Sequence, residues 1–253
     1  MIVLEQLGHG VAKVTIENPA HHNALDGEMF VQLAAVWKQL DQDCSVRSVV
    51  ITGAGDRAFC TGADLSQSLH KRADIDDLVD RALLKATLFK KPLIAAINGH
   101  CVAGGLELAL AADIRIVSRT AQLGFPEVRW GILPSGGGAM KLLAQLPHAH
   151  AMDLLLTARL ISGDEAARIG LATLAVDEGN VLSCALERAE MIARNSPIAV
   201  QATKQAALQQ IADAYASREE AERVLVRRVR ESGHQDEGIA AFIGKREPRY
   251  SAG

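Results

Sequence analysis

Apolar and polar positions change period along the chain, and each change marks an element. Ala12, Val14 and Ile16 alternate with Lys13, Thr15 and Glu17, the period-two pattern of a strand with one buried face. With Val3-Leu4 on the far side of Gly8-His9-Gly10 it predicts a hairpin, ended by Asn18-Pro19. From Asp26, a suitable N-cap, the spacing Phe30, Leu33, Trp37, Leu40 predicts a helix. Residues 48–52 predict a short buried strand that Gly53 and Gly55 stop. The grammar then repeats: an amphipathic helix over 75–89, an apolar strand over 92–97, a short helix over 104–112 and a strand over 114–117. Ser162-Gly163-Asp164-Glu165 has the form of a capping box opening a helix that Gly170 closes, and 174–176 predict a last strand. Strands alternating with helices imply parallel pairing and an α/β class.

Beyond Glu178 the pattern becomes wholly helical. Segments 181–194, 198–215, 218–231 and 236–245 are predicted helices, broken at Ser196-Pro197 and Ser232-Gly233. Charges alternate in sign over 218–231, which predicts a solvated helix face. The simplest organisation is a strand–helix core over 1–190 followed by a helical region over 191–253.

Composition narrows the function classes. The 253 residues are 49% apolar and 23% charged with a net charge of −3, so the cationic excess that drives phosphate-backbone binding is missing. Aromatics at 4% further weaken a base-stacking role. Cys44, Cys60, Cys101 and Cys184 lack C-x-x-C spacing and fit reduced thiols better than disulfides or zinc. No secretory leader and no run of ~18 apolar residues is visible, so a cytoplasmic protein without a membrane span is expected.

The chemistry concentrates in two glycine-marked frames. The first runs from Asn98-Gly99-His100 through Gly104-Gly105-Leu106-Glu107; the second is Phe125-Pro126-Glu127 followed by Gly131 and Pro134-Ser135-Gly136-Gly137-Gly138. Glu107 lies among Leu106, Leu108, Ala109 and Leu110, so a helix there buries it. A buried carboxylate without a cation has its ionised form disfavoured, which makes an acid or base usable near neutrality. The bland alternatives stay open: Glu107 satisfied by backbone donors or by Arg115, and Glu127 a first-turn charge on a helix. Gly104-Gly105, between strand and helix, offers unpaired N–H groups to a developing negative charge. The segment Phe59-Cys60-Thr61-Gly62-Ala63-Asp64-Leu65 repeats that arrangement, with the Ala63 N–H as a second donor; packing alone also explains paired glycines at a helix start. His100 is expected to pack in its loop rather than act in catalysis.

Together, Asn23-Ala24-Leu25, the segment from Phe59 to Leu65, the two glutamate frames and the C-terminal Glu237-Gly238-Ile239-Ala240-Ala241-Phe242 through Arg246 resemble the enoyl-CoA hydratase/isomerase (crotonase) superfamily, in order and over the whole chain. The resemblance implies a spiral of ββα units with a C-terminal all-helical region that forms a homotrimer or a hexamer (a dimer of trimers). It implies Ala63 and Gly104 as backbone donors around an acyl-CoA thioester oxygen, and Glu107 and Glu127 as the acid–base pair. Coenzyme A would be part of the substrate, with no separate cofactor and no metal. Ala24, Ala63, Asp64, Leu65, Gly104 and Ser135 match acyl-CoA-lining positions, and Phe242 and Lys245 match a tail that reaches a neighbouring subunit's CoA. The implied reaction is reversible addition of water to a trans-2-enoyl-CoA. Alternatives on the same scaffold are a carnitinyl-CoA-type dehydratase, an isomerase, or a non-catalytic acyl-CoA- or RNA-binding member.

Departures from that pattern bear on the substrate. Ala20-His21-His22 stands where a basic residue is usual, Ser135 replaces a loop glycine, and Trp130 replaces an aliphatic residue. The pocket wall is expected largely from the segment between Leu65 and Asp80, whose start is the polar run Ser66-Gln67-Ser68-Leu69-His70-Lys71-Arg72.

Overall fold

The computed structural model describes residues 1–67, 69 and 72–251. Ser68, His70 and Lys71 of the polar run thus lie outside the described residues. The hairpin forms as β1 (Ile2–Gly8) and β2 (Val11–Ile16), antiparallel. Asp26 caps α1 (Gly27–Gln42), its carboxylate accepting from the Met29 N–H at 2.8 Å. Three successive pairs of strands then follow: β3 (Ser48–Gly53) with β4 (Ala58–Cys60), β5 (Leu93–Ile97) with β6 (His100–Val102), and β7 (Ile114–Ser118) with β8 (Gln122–Gly124).

Each pair sends its first strand to one sheet and its second to another. The first sheet has the order β1-β2-β3-β5-β7-β10, with β10 at Leu174–Val176 and every pairing after the hairpin parallel. The second has the order β4-β6-β8-β9, where β9 is Ile161–Ser162. This is the expected spiral of ββα units. Two asparagines brace its turns. Asn98 Nδ2 donates to the Gly53 and Gly55 carbonyls at 3.0 and 2.7 Å, and fully buried Asn23 donates to the Ala54 and Ala58 carbonyls at 3.0 and 2.7 Å.

The strands are apolar on both faces because both faces are covered. Val49, Ile51, Leu93, Ala95 and Ile97 face the main core, whereas Val50, Ile94, Ala96 and Ile116 face a second one. Helix α7 (Val181–Ala193) closes that second face with Val181, Ala185, Ala189 and Ala193, a four-residue stripe that lets helix and sheet approach closely.

Several predicted helices change length. The one predicted over 75–89 is α2, Ile75–Ala82. It stops where Leu84 takes φ +51°, and the Lys85 N–H reaches back five residues to the Asp80 carbonyl at 2.9 Å. The one predicted over 104–112 is α3, Gly104–Ala109, with tightened turns to Ala112. Between β8 and β9 lie α4 (Gly138–Gln145) and α5 (His148–Thr157). Ser162 caps α6 (Gly163–Arg168), its Oγ accepting from the Glu165 N–H at 3.1 Å. Glu165 turns its carboxylate to Arg159.

The helices predicted over 198–215 and 218–231 are one, α8, Pro197–Glu231, of 35 residues. Ser217 does not interrupt it, because its hydroxyl donates to the Ala214 carbonyl at 2.9 Å within the helix. Nor are all the charges over 218–231 merely solvated. Arg223 meets Asp77 and Asp80 at 2.8 and 3.2 Å, Arg230 grips Asp76 at 2.6 and 3.1 Å, and Glu222 lies 3.0 Å from Lys85, so α8 is laced to α2. The chain closes with α9, His234–Ile243. Among the described residues no helix is long and apolar enough to cross a membrane.

Candidate active site

The spiral brings the starts of two units together. Leu25 pairs with Ala63 in a single parallel bridge: the Leu25 N–H donates to the Gly62 carbonyl at 2.7 Å and the Asp64 N–H donates to the Leu25 carbonyl at 2.9 Å. Alternation along an extended chain then turns the intervening Ala63 N–H away from Leu25. On the adjacent unit Ala103, at φ +51° and ψ −131°, makes the sharp turn from β6 into α3 and leaves Gly104 as the first helical residue. A Cβ on Gly62 would stand 2.8 Å from the Gly104 nitrogen, and one on Gly104 would stand 3.8 Å from the Ala63 nitrogen, so glycines are what allow the two backbones to meet. Among the described residues neither the Ala63 nor the Gly104 N–H donates a hydrogen bond. Two free backbone donors, one on an exposed rim and one buried, therefore lie side by side.

One turn into α3, Glu107 is 4% exposed. Its Oε1 accepts from the Gly138 N–H at 2.9 Å, at the start of α4. Burial is the main influence on it and raises its pKa from 4.5 to about 7, against the opposing pull of the Gly138 N–H and of the Lys141 ammonium. Arg115 is not its partner: that guanidinium is spent on the Leu171, Ala109 and Ala112 carbonyls.

Glu127 opens a 3-10 turn, Glu127–Trp130, and is 7% exposed. Its Oε2 is buried with no hydrogen-bond partner, and burial followed by the charge on Glu107 holds its pKa well above the usual carboxylate range. The reading of Glu127 as an ordinary first-turn helix charge fails on that burial. Two carboxyls that repel each other in a dry site do not both ionise readily, so the pair can hold a proton and a negative charge together near neutrality.

The glycine loop of the second frame packs against Glu107. A Cβ on Gly136 would lie 2.5 Å from Glu107 Oε2 and 2.6 Å from Leu83 Cδ1, so Leu83 wedges between the loop and Gly104. Ser135 is half-buried beside a small cleft shared with Asp76, Asp80, Lys85, Arg223 and Val226. Lys141 is 4% exposed, and its ammonium donates to the Leu83 and Leu84 carbonyls at 3.1 and 2.9 Å. Sequence reasoning missed both Leu83 and Lys141. The available signal for the second was a lone cation inside Ala139-Met140-Lys141-Leu142-Leu143.

Other expected residues fall into two groups. Ala24, Asp64 and Leu65 flank the Leu25–Ala63 bridge, where the Asp64 carboxylate accepts from the Ser66 N–H and hydroxyl at 3.0 and 2.7 Å. Phe242 and Lys245 lie on and behind α9: Phe242 sets its ring 5.3 Å from Trp130, edge to face, and Lys245 is exposed. His100 belongs to β6 rather than a loop and is exposed, its Nδ1 accepting from the Gln122 N–H at 3.2 Å. A cavity of about 620 Å3 lies under α8, bordered by Leu110, Ala112, Val200, Ala207 and Tyr215; neither glutamate lines it.

Known proteins share much of this sequence and its fold. The sequence matches the enoyl-CoA hydratase/isomerase family over residues 6–253. It is 40% identical over 208 residues to an enoyl-CoA hydratase of Mycobacterium tuberculosis, covering 79% of this chain and 77% of that one. It is also 40% identical over 210 residues to the (E)-benzylidenesuccinyl-CoA hydratase of Thauera aromatica, covering 82% of each. The crystal structure of a carnitinyl-CoA hydratase from Mycobacterium avium superposes with a TM-score of 0.92 at 35% identity, covering 100% of this chain and 98% of that one. With a family match running almost end to end and a shared fold beneath it, the chain belongs to the enoyl-CoA hydratase/isomerase family.

Proposed function

We propose that this protein is an enoyl-CoA hydratase, adding water reversibly to a trans-2-enoyl-CoA to give a 3-hydroxyacyl-CoA. The observation that carries the reading is the buried pair Glu107 and Glu127 beside two unpaired backbone donors. In this reading the Ala63 and Gly104 N–H groups hold the thioester oxygen. Negative charge reaching that oxygen as hydroxyl adds at C3 is stabilised by donors already in place, worth ~3 kcal/mol each. One glutamate takes a proton from the attacking water and the other gives a proton to C2, so that one water is consumed and the pair ends with its proton count unchanged. The reaction is redox-neutral and draws on no resident cofactor, and CoA leaves with the product. Ala24, Asp64, Leu65 and Ser135 line the thioester's path.

Assembly as a trimer or a dimer of trimers fits α8, which leaves Ile198 81% exposed and Val224 and Leu225 about half exposed. Incubation with crotonyl-CoA tests the activity. Formation of 3-hydroxybutyryl-CoA supports it, and its absence at high enzyme concentration refutes short-chain hydration.

A second reading is dehydration of a hydroxyacyl-CoA with a polar or cationic end, of the carnitinyl kind. It is favoured by Ser135, a half-buried polar side chain next to Gly136, which packs on Glu107. A faster rate on a quaternary-ammonium substrate than on a straight-chain one selects it.

A further inference from the structure

The turn that carries Glu127 has little support of its own. It is a four-residue 3-10 segment followed by Gly131, and Glu127 Oε2 has no hydrogen-bond partner to fix it. What holds the turn comes from the far end of the sequence. Gly238 in α9 sits so close to it that a Cβ there would lie 1.9 Å from the Trp130 carbonyl oxygen. A Cβ on Gly131 would meet the His234 carbonyl oxygen at 2.5 Å, on the same side. The Phe242 ring packs edge-on against Trp130, and the Tyr250 hydroxyl donates to the Arg129 carbonyl at 2.7 Å.

The tail is itself anchored. Arg246 pairs both its terminal nitrogens with the Glu237 carboxylate at 2.6 and 2.8 Å, and the Arg249 N–H donates to Glu237 Oε1 at 2.8 Å. Glu237 therefore folds the segment after α9 back along the helix and delivers Tyr250 to the turn. Four contacts from one segment converge on Arg129, Trp130 and Gly131, where the turn that Glu127 opens comes to its end.

We infer that α9 and the tail behind it are a positioning device for Glu127, setting its carboxyl against the substrate through Gly238 and Tyr250 of the same chain. The inference rests on the hydratase reading. Displacing a reacting group by about an ångström costs up to ~100-fold in rate. An alanine at 238 cannot be accommodated without moving α9 off the Trp130 carbonyl, whereas Tyr250→Phe removes one hydrogen bond and keeps the ring.

The experiment measures crotonyl-CoA hydration by Gly238→Ala and Tyr250→Phe, each in the otherwise unaltered protein and in Glu127→Gln. Gly238→Ala is expected to lower kcat ~10–100-fold and Tyr250→Phe ~3–10-fold, with KM within about two-fold, because the transition state and not substrate binding is affected. In the Glu127→Gln background neither change lowers the rate further, since residues acting through one group are not additive. Equal losses in both backgrounds, or a rise in KM alone, overturn the inference. If the unaltered protein does not turn over, the hydratase reading fails, and the seating is judged by Trp130 fluorescence in a Trp37→Phe background. An emission shift on Gly238→Ala then supports it, and unchanged emission overturns it.

Discussion

Glu107 Oε1 and the Gly138 N–H are 2.9 Å apart, and the loop that provides this donor also presses Gly136 onto the other carboxylate oxygen. The glycines are thus a fitted cradle for one carboxyl group. Gly136→Ala puts a methyl 2.5 Å from Glu107 Oε2, and either the loop or the carboxylate must move. We expect a loss of ~100-fold in kcat/KM with about 1–3 kcal/mol of stability. Steady-state kinetics beside thermal unfolding check this, and an active Gly136→Ala protein contradicts the fitted cradle.

The raised pKa of Glu107 makes stability fall as pH rises through a defined window. Below 4.5 the carboxyl is protonated folded or unfolded, whereas between 4.5 and about 7 the native state holds the proton and the unfolded state releases it. The native state binds more protons there, so unfolding becomes easier with increasing pH, by up to ~1.4 kcal/mol per unit of pKa difference. Glu127 acts with the same sign. Glu107→Gln should gain stability relative to the parent as pH rises from 4.5 to about 7 in urea titrations. An identical pH slope in parent and variant rules the shift out.

Lys141 exerts two effects that separate on substitution. Its ammonium satisfies the Leu83 and Leu84 carbonyls, and its charge lowers the pKa of Glu107. Lys141→Met therefore leaves buried acceptors unpaired at a cost of about 1–3 kcal/mol each. It also moves the Glu107-dependent limb of the pH–rate profile upward. Lys141→Arg keeps the charge and should leave that limb nearer its original position. A limb that moves downward in Lys141→Met counts against the electrostatic role.

Asn23 lies in a segment that resembles a CoA-lining motif, yet its side chain is fully buried in the fold. Its Nδ2 serves two carbonyls and its Oδ1 accepts from the Asn18 N–H at 2.9 Å, from a backbone at φ +57°. Asn23→Ala should destabilise by about 2–4 kcal/mol while KM for the thioester stays within about two-fold. A large KM increase without loss of stability would reverse this assignment.

The parallel strands were legible in the sequence because continuous apolar runs at 48–52 and 92–97 leave few alternatives to burial on both faces, whereas the spiral was implied only by the resemblance to the crotonase superfamily. Helix ends were less legible. The early stop of α2 depends on the Leu84 turn held by Lys141, a contact across 57 positions of sequence. The unbroken α8 owes its last turns to pairing of Arg223 and Arg230 with α2, which alternating charges alone do not reveal. For the site, the glutamates and glycines stood out by type and spacing. The wedge of Leu83 did not, since a buried leucine has no local signature, and the seating of Glu127 by Gly238 and Tyr250 joins residues more than a hundred positions apart.

If both glutamates work on an enoyl thioester, removing either carboxylate must stop its hydration. The most direct measurement follows loss of the conjugated enoyl-thioester absorbance of crotonyl-CoA with the unaltered protein, Glu107→Gln and Glu127→Gln. The unaltered protein is expected to remove the absorbance rapidly and each variant to be slower by ~100-fold or more. Either variant retaining the parent rate, or no loss with the parent, contradicts it.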